Sequence, residues 1–411
     1  MFGAGGAGIA PPEGPPRVKP FLTFLAAYVL SQFYRAFLAV IAPEFSHELG
    51  LDPQTLANLQ GFWIAGFVVM QFPVGWALDT IGPRRTISSL MALAVVGAAL
   101  FARAASALEL YIAMALIGIG CSAIYMGAIF YFGRVYPPGR FAFFNSTLLG
   151  LGAAGNLLAA SPMGWAASAI GWRAAMAIIA GATAVSALSI VLLVRDPPRV
   201  VSHGATGLWR GIVSVFSLRG LWPLLPITAV SYSVLLAERG LWAGPYFSQV
   251  HGLNAIERGN AILAMAAAMS LGALAYGPLD RLFGTRKWIV VAGNTATAAA
   301  FLALGSLDLS VSAATAVIAA IGFFGINYGV LMAHGRAFFP DHLLGRGITA
   351  MNVLFIGGAG VLQPISGAYM NAMLGDPAAT AFARLHMSFG VLLLLALGVY
   401  VFSREPKPGK R

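Results

Sequence analysis

Charge is what this 411-residue chain has least of. Only 9% of its residues are Asp, Glu, Lys or Arg, while 59% are hydrophobic. A soluble domain carries about 25% charged residues, so an integral membrane protein is expected. Acidic residues are the scarcest, 14 against 25 Lys and Arg, which gives a net charge of +11. The single cysteine, Cys121, lies inside an apolar run, so an intrachain disulfide is excluded. No phosphate-binding loop, dinucleotide fingerprint or zinc-ligand spacing occurs. An enzyme is therefore not indicated, and no cofactor is expected.

What the chain has in abundance is long apolar runs. At about 20 residues per crossing, its length accommodates roughly 12 transmembrane helices. They are predicted at 20–43, 56–78, 86–106, 109–133, 141–168 and 172–194, then at 222–249, 257–279, 286–306, 309–335, 345–372 and 378–402. The implied organisation is a disordered Gly/Pro-rich tail (1–19), a six-helix bundle (20–194), a basic loop (195–221), a second bundle (222–402) and a basic tail (403–411). The first run is too long for a signal-peptide core and is read as an uncleaved span.

The basic residues sort by loop. With the N-terminus placed in the cytoplasm, that side receives Arg84, Arg85, Arg140, Arg195, Arg199, Arg286 and Lys287 among others, while the far side keeps chiefly Arg173, Arg258 and Arg384. This positive-inside pattern puts both termini in the cytoplasm and the protein in a bacterial inner membrane. It also explains the basic excess as topology, with some affinity for anionic lipid, so no nucleic-acid partner is expected.

The chain repeats itself. Gly133-Arg134 recurs as Gly335-Arg336, Gly155 as Gly357 and Pro162 as Pro364, each 202 positions on. The loop after the second span reads Gly75-Trp-Ala-Leu-Asp79-Thr-Ile-Gly82-Pro-Arg84-Arg85, and a looser copy lies at Asp280…Gly284-Thr-Arg286-Lys287. Two parallel six-helix halves imply a transporter whose halves rock about a central site.

These motifs, the twelve spans and the basic central loop resemble the major facilitator superfamily over 18–404. The resemblance implies an all-helical fold and alternating access. It also implies that Gly75, Asp79, Gly82, Arg84 and Arg85, with Asp280, Gly284, Arg286 and Lys287, latch the cytoplasmic ends of the halves. Thr80 departs from the family pattern, as does the spacing of the second copy.

Ionisable groups inside spans are costly, about 2.5–3.5 kcal/mol each, and mark function by default. Three stand out: Arg35 in the first span, and Glu238 and Arg239 in the seventh. The first and seventh spans are matching helices of the two halves, so the arginines can face one cavity. Two guanidinium groups suit an anion through bidentate hydrogen bonds, an arrangement that resembles the organic-phosphate branch of the superfamily. Glu238 either pairs with Arg35 or carries a coupling proton. Gln32, Tyr34, Trp242, Tyr246 and Asn327 are the further candidates for substrate contact. A competing set is Met265 and Met269, one turn apart, with His334, since thioether and imidazole suit Cu(I). Ser31-Gln32-Phe33-Tyr34-Arg35 and Arg239-Gly-Leu-Trp242-Ala-Gly-Pro245-Tyr246 resemble the CcoA-type group of bacterial importers, whose members imply copper or riboflavin as cargo. The Met-x-x-x-Met of that group's copper members is missing from the seventh span.

The expectation is a monomeric secondary transporter of a small anionic or polar organic solute, coupled to protons. The alternatives are a copper or riboflavin importer, or a non-transporting membrane sensor or assembly factor in the same fold.

Overall fold

A computed structural model of the chain describes residues 18–136, 144, 147–197, 217–339 and 344–405; at Asp79, Asp280, Arg281 and several others within these ranges only the backbone is described. Most of the expected N-terminal tail, much of the central loop and most of the basic C-terminal tail lie outside the described residues. Every regular element among them is helical.

The first half contains α1 (Val18–Phe33), α2 (Phe37–Leu49), α3 (Pro53–Val69), α4 (Gln71–Thr80), α5 (Pro83–Arg103), α6 (Ala107–Cys121), α7 (Ile124–Val135), α8 (Ala154–Leu158), α9 (Ser161–Ile170) and α10 (Trp172–Leu193). A 3-10 turn at Arg219–Leu224 leads into the second half. This holds α11 (Leu225–Ala237), α12 (Ala243–Gln249), α13 (Ala255–Phe283), α14 (Lys287–Ser306), α15 (Val311–Gly325), α16 (Tyr328–Arg336), α17 (Leu344–Asn371) and α18 (Ala378–Tyr400). Nine helices among the described residues are long and apolar enough to cross a membrane, counting α6 with α7 and other near-straight joins as one; α1 with α2, bent by 47°, makes a tenth. The second expected span is α3 plus α4, and the fifth falls around α8 and α9. The architecture is the expected twelve-helix one.

Two faces bound the bundle. One carries the Gly82 and Gly284 turns, the other Gly50, Gly171 and Gly252. Four helices that start at the second face supply their own caps. Asp52 accepts from the Thr55 N–H, Ser106 from Glu109, Ser310 from Ala313, and Asn254 forms a full capping box with Glu257. Each satisfies backbone donors that a helix start leaves open.

The halves meet toward the Gly252 face. Arg258, nearly fully buried, binds Glu44, the Val40 carbonyl and the Leu253 carbonyl. Ser161 donates to Asn260 (2.7 Å) and Gln54 to the Pro364 carbonyl (3.1 Å). Backbones touch where glycine permits it: a Cβ on Gly244 would lie 1.6 Å from the Ala39 carbonyl oxygen. At the other end, α4 and α7 pack on α3, α5 and α1 of their own half, and α16 on α13, α14 and α17 of its own. Among the described residues the contacts between the two halves therefore gather at the Gly252 face, and the halves part toward the Gly82 face.

Candidate functional site

Each of the four helices around the central axis is interrupted at mid-span. The first breaks at Tyr34–Ala36, the fourth between α6 and α7 at Ser122–Ala123, the seventh swells into a π-turn at Glu238–Trp242, and the tenth breaks between α15 and α16 at Ile326–Asn327. Arg35 and Arg239 are 204 positions apart, as are Ser122 and Ile326, so the interruptions obey the same internal repeat as the sequence motifs. Such breaks free backbone groups and re-aim side chains at a cavity.

Arg35 and Arg239, one at each of two equivalent breaks, lie within range of one another's charge. The Arg35 guanidinium lies over the rings of Phe67 (4.8 Å) and Trp63 (5.5 Å). Arg239, 5% exposed, reaches only the Met269 sulfur, at 3.9 Å. Both Nε groups are buried without a partner, and among the described residues neither arginine has a carboxylate beside it. Cations withdrawn from water without a counter-charge carry a large desolvation cost, which a bound anion offsets.

Four tyrosines stand close to the arginine pair, one from each axial helix: Tyr28, Tyr125, Tyr232 and Tyr328. Tyr28 stacks on Tyr125 (5.3 Å between ring centroids) and Tyr232 packs on Tyr328 (5.8 Å). Tyr328 also donates to Asn352 Oδ1 at 3.0 Å. Tyr28 and Tyr232 repeat at 204, Tyr125 and Tyr328 at 203. The chamber is thus cationic, with phenols around it that can donate hydrogen bonds to a bound oxyanion.

The remaining expected contacts fall elsewhere. Glu238 does not face Arg35. Its side chain is fully buried, turned to His386 in α18, whose Nε2 lies 3.3 Å from Oε2. The approach is close enough for an ion pair but is not aligned as a hydrogen bond, and both carboxylate oxygens and both ring nitrogens have no hydrogen-bond partner. Tyr34 bonds Thr183 within the first half (2.8 Å), Trp242 donates to Ser366 (2.9 Å), and Tyr246 meets His251 (3.1 Å). Asn327 donates to the Phe324 carbonyl at the α15–α16 break. Gln32 packs its Cβ near Gly155, with its Oε1 unpartnered.

The structure does not bring the three sulfur and imidazole residues together. Met265 and Met269 pack on Gly322, whereas His334 spends both nitrogens on the Tyr400 hydroxyl (2.6 Å) and the Arg404 carbonyl (3.1 Å). No cluster of three or more His, Cys, Asp or Glu side chains suited to a metal occurs among the described residues.

At the Gly82 face the side chains of Asp79 and Asp280 lie outside the described residues, and Gly75 is open to its surroundings. What the structure adds is a pair of carboxylates that sequence reasoning missed. Asp196, just after α10, accepts from the Arg84 N–H at 2.6 Å; Glu405, just after α18, accepts from the Arg286 N–H at 2.5 Å and from the Thr285 hydroxyl at 2.7 Å. Each caps the third helix of its half from the end of the sixth, where the N-cap residues, Gly82 and Arg286, supply no side-chain cap of their own. The signal was present as Arg195-Asp196-Pro197 and Arg404-Glu405-Pro406. Arg85 is exposed, Lys287 sits over the Trp288 ring, and Arg286 also donates to the Ala333 carbonyl.

Partial burial works against the Glu405 carboxylate, but the Arg286 N–H, the Thr285 hydroxyl and the Lys287 N–H outweigh it and hold its pKa below the ordinary glutamate value. That cap is therefore in force above the ordinary carboxylate range and is lost as pH falls through the lowered folded value.

Gly82 has φ +100° and ψ 157°, and a Cβ there would meet the Asp196 carboxyl carbon at 2.7 Å. A side chain is strained in that conformation by about 1–3 kcal/mol, and displacing the cap costs about 0.5–2 kcal/mol more. Gly82→Ala should lower the melting temperature of the purified protein clearly, and Gly75→Ala should hardly change it.

The comparisons with known proteins come to the same architecture. The family model described as Major Facilitator Superfamily matches residues 24–355. A protein of Agrobacterium vitis that carries the name of a tartrate transporter is 23% identical over 95% of this chain and 90% of its own length. Among solved structures, a bacterial homolog of the human lysosomal transporter Spinster, in an inward-facing and unoccupied conformation, superposes with a TM-score of 0.79 at 19% identity, covering 95% of this chain and 98% of that one. A D-xylose-proton symporter superposes with a TM-score of 0.76 at 14% identity, covering 95% and 98%.

Proposed function

Because the chain belongs to the Major Facilitator Superfamily and is a secondary transporter by family and fold, we propose that its cargo is a small organic anion bound between Arg35 and Arg239. The observation that carries this reading is the pair of guanidinium groups, set at equivalent breaks of the two halves, Arg239 buried and Arg35 partly buried with its Nε enclosed, and neither paired with a carboxylate among the described residues. A carboxylate bridging them accepts forked hydrogen bonds from both and neutralises two charges that otherwise sit unpaired. The four tyrosines suit hydroxyl and carboxylate oxygens on the rest of the molecule. A hydroxylated dicarboxylate such as tartrate has those groups, and the Agrobacterium vitis relative bears that name.

Reading the Gly82 face as cytoplasmic, from the loop charges, the arrangement is open to the cell interior and sealed outside by Arg258–Glu44 and the glycine contacts. Alternating access then opens the Gly252 face and closes the other, and the turns at Gly82 and Gly284 are the parts that must meet. The protein acts in a bacterial inner membrane in this reading.

A CcoA-type copper or riboflavin importer is the second reading. Copper rests on Met265 and Met269, but Met269 already contacts the Arg239 guanidinium, and a cation repels a Cu(I) ion. We therefore place the organic anion first.

Proteoliposomes holding the purified protein test the proposal. Labelled tartrate should enter in a saturable way, other small di- and hydroxycarboxylates should compete, and a neutral polyol of equal size should not. Competition by the polyol and none by the acids would reject an anion site.

A further inference from the structure

The anion site uses Arg239 but leaves its neighbour unexplained. Glu238 and His386 are both fully buried at mid-bundle, 3.3 Å apart at their nearest atoms, and none of their four polar atoms has a hydrogen-bond partner. With one proton between them the pair is neutral in sum, as carboxylate with imidazolium or as acid with imidazole. Removing that proton leaves a bare buried carboxylate; adding another leaves a lone buried imidazolium. Either is costly in a low-dielectric interior unless a charge of opposite sign stands close by.

We propose that Glu238 and His386 form a proton-binding site, reached from the Gly252 face through Tyr246 and His251, whose occupancy is coupled to the anion held by Arg239. The coupling rests on the anion reading; the proton site itself does not.

The coupling has a short path. Glu238 and Arg239 leave the same π-turn, so whatever moves one backbone moves the other. An anion arriving at Arg239 cancels a cation carried on the same π-turn as the dyad's carboxylate, which makes an added proton there less unfavourable. By linkage, an added proton favours the anion equally. One proton then travels with each anion: it binds at the dyad from one side and leaves to the other once the anion has left.

The outer part of the route is in place. Tyr246 packs edge-on against His386, with ring centroids 5.0 Å apart, and lies within reach of the Glu238 charge. Its hydroxyl meets His251 Nε2 at 3.1 Å. His251 is half-buried in the turn before α13. A phenol both donates and accepts, so it can hand a proton from an imidazole at the face to one in the interior. The other elements around the dyad present apolar rings, Phe301 from α14 and Phe382 from α18. Among the described residues Tyr246 is the titratable group packed against the dyad, and Arg239 is the charged neighbour in sequence, its guanidinium turned to Met269.

An infrared pH titration of the full-length purified protein, without substrate, tests the site. Wild type should show a carboxylic-acid carbonyl band that disappears as pH rises, and Glu238→Gln should lack that band. In His386→Gln the midpoint should move by about 1–3 pH units, the shift a neighbouring charge imposes on a carboxyl. A titrating band unchanged in Glu238→Gln, or a midpoint unmoved in His386→Gln, would overturn the proposal, and the elution profile of each variant shows whether it is folded. Added tartrate should shift the wild-type midpoint but not that of Arg239→Ala. If tartrate does not bind the wild type at all, the anion reading fails, while the substrate-free titration still decides the proton site.

Discussion

Arg239→Ala and Arg35→Ala should each abolish accumulation of the organic anion while the protein still inserts and purifies as a monodisperse species. Truncating one partner of a buried hydrogen-bonded charge pair costs about 2–5 kcal/mol, which is roughly thirtyfold to several thousandfold in affinity. The fold should survive because neither arginine holds it together. Arg35 gives up its approach to the rings of Phe67 and Trp63, worth about 0.5–2 kcal/mol, and the variant no longer buries an uncompensated cation. Arg239 gives up one contact with Met269. Lysine at either position should restore part of the uptake, since charge returns without the planar fork. Wild-type uptake in both alanine variants would contradict the site. Loss of insertion would instead make the arginines structural.

Gly244→Leu should shift the resting conformation. A Cβ at this position would lie 1.6 Å from the Ala39 carbonyl oxygen of the other half, so no side chain fits while the Gly252 face is closed. Forcing extra atoms into a packed contact costs about 1–3 kcal/mol. When that cost falls on one of two states, it changes their ratio by roughly five- to 150-fold. Spin labels at the ends of α2 and α12 should report a longer separation in the variant, and turnover should fall because the outward-closed state is less populated. Unchanged distances would mean that the α2–α12 contact does not seal this face.

Much of this was legible beforehand, because the membrane enforces simple rules. Apolar run lengths gave the spans, loop arginines gave the expected orientation, and the offset of 202 between Pro162 and Pro364 gave the two halves. Arg35 and Arg239 stood out because ionised groups in a span are costly. The same rule applied to His386 in the run 378–402 and would have flagged it. The signal from His386 is weaker because imidazole is neutral half the time near its ordinary pKa and its partner Glu238 lies almost 150 positions away. Where Glu238 points was not readable: the π-turn at Glu238–Trp242 rotates the following residues, and no local pattern announces a π-turn. The caps from Asp196 and Glu405 escaped for a related reason. They are long-range in sequence, whereas cap signals are sought next to the helix they serve. His334 illustrates the opposite error, a residue that looked like a ligand by type while tertiary packing had given both its nitrogens to Tyr400 and Arg404.

The most direct test of the central claim is calorimetric binding of tartrate to the purified protein, wild type against Arg35→Ala and Arg239→Ala, with a neutral polyol of the same size as control. The structure predicts that the anion binds the wild type, that each variant weakens it by about tenfold or more, the equivalent of at least 1.4 kcal/mol, and that the polyol gives no signal. Equal affinity for tartrate in the wild type and both variants, or binding of the polyol as tight as that of the anion, would contradict it.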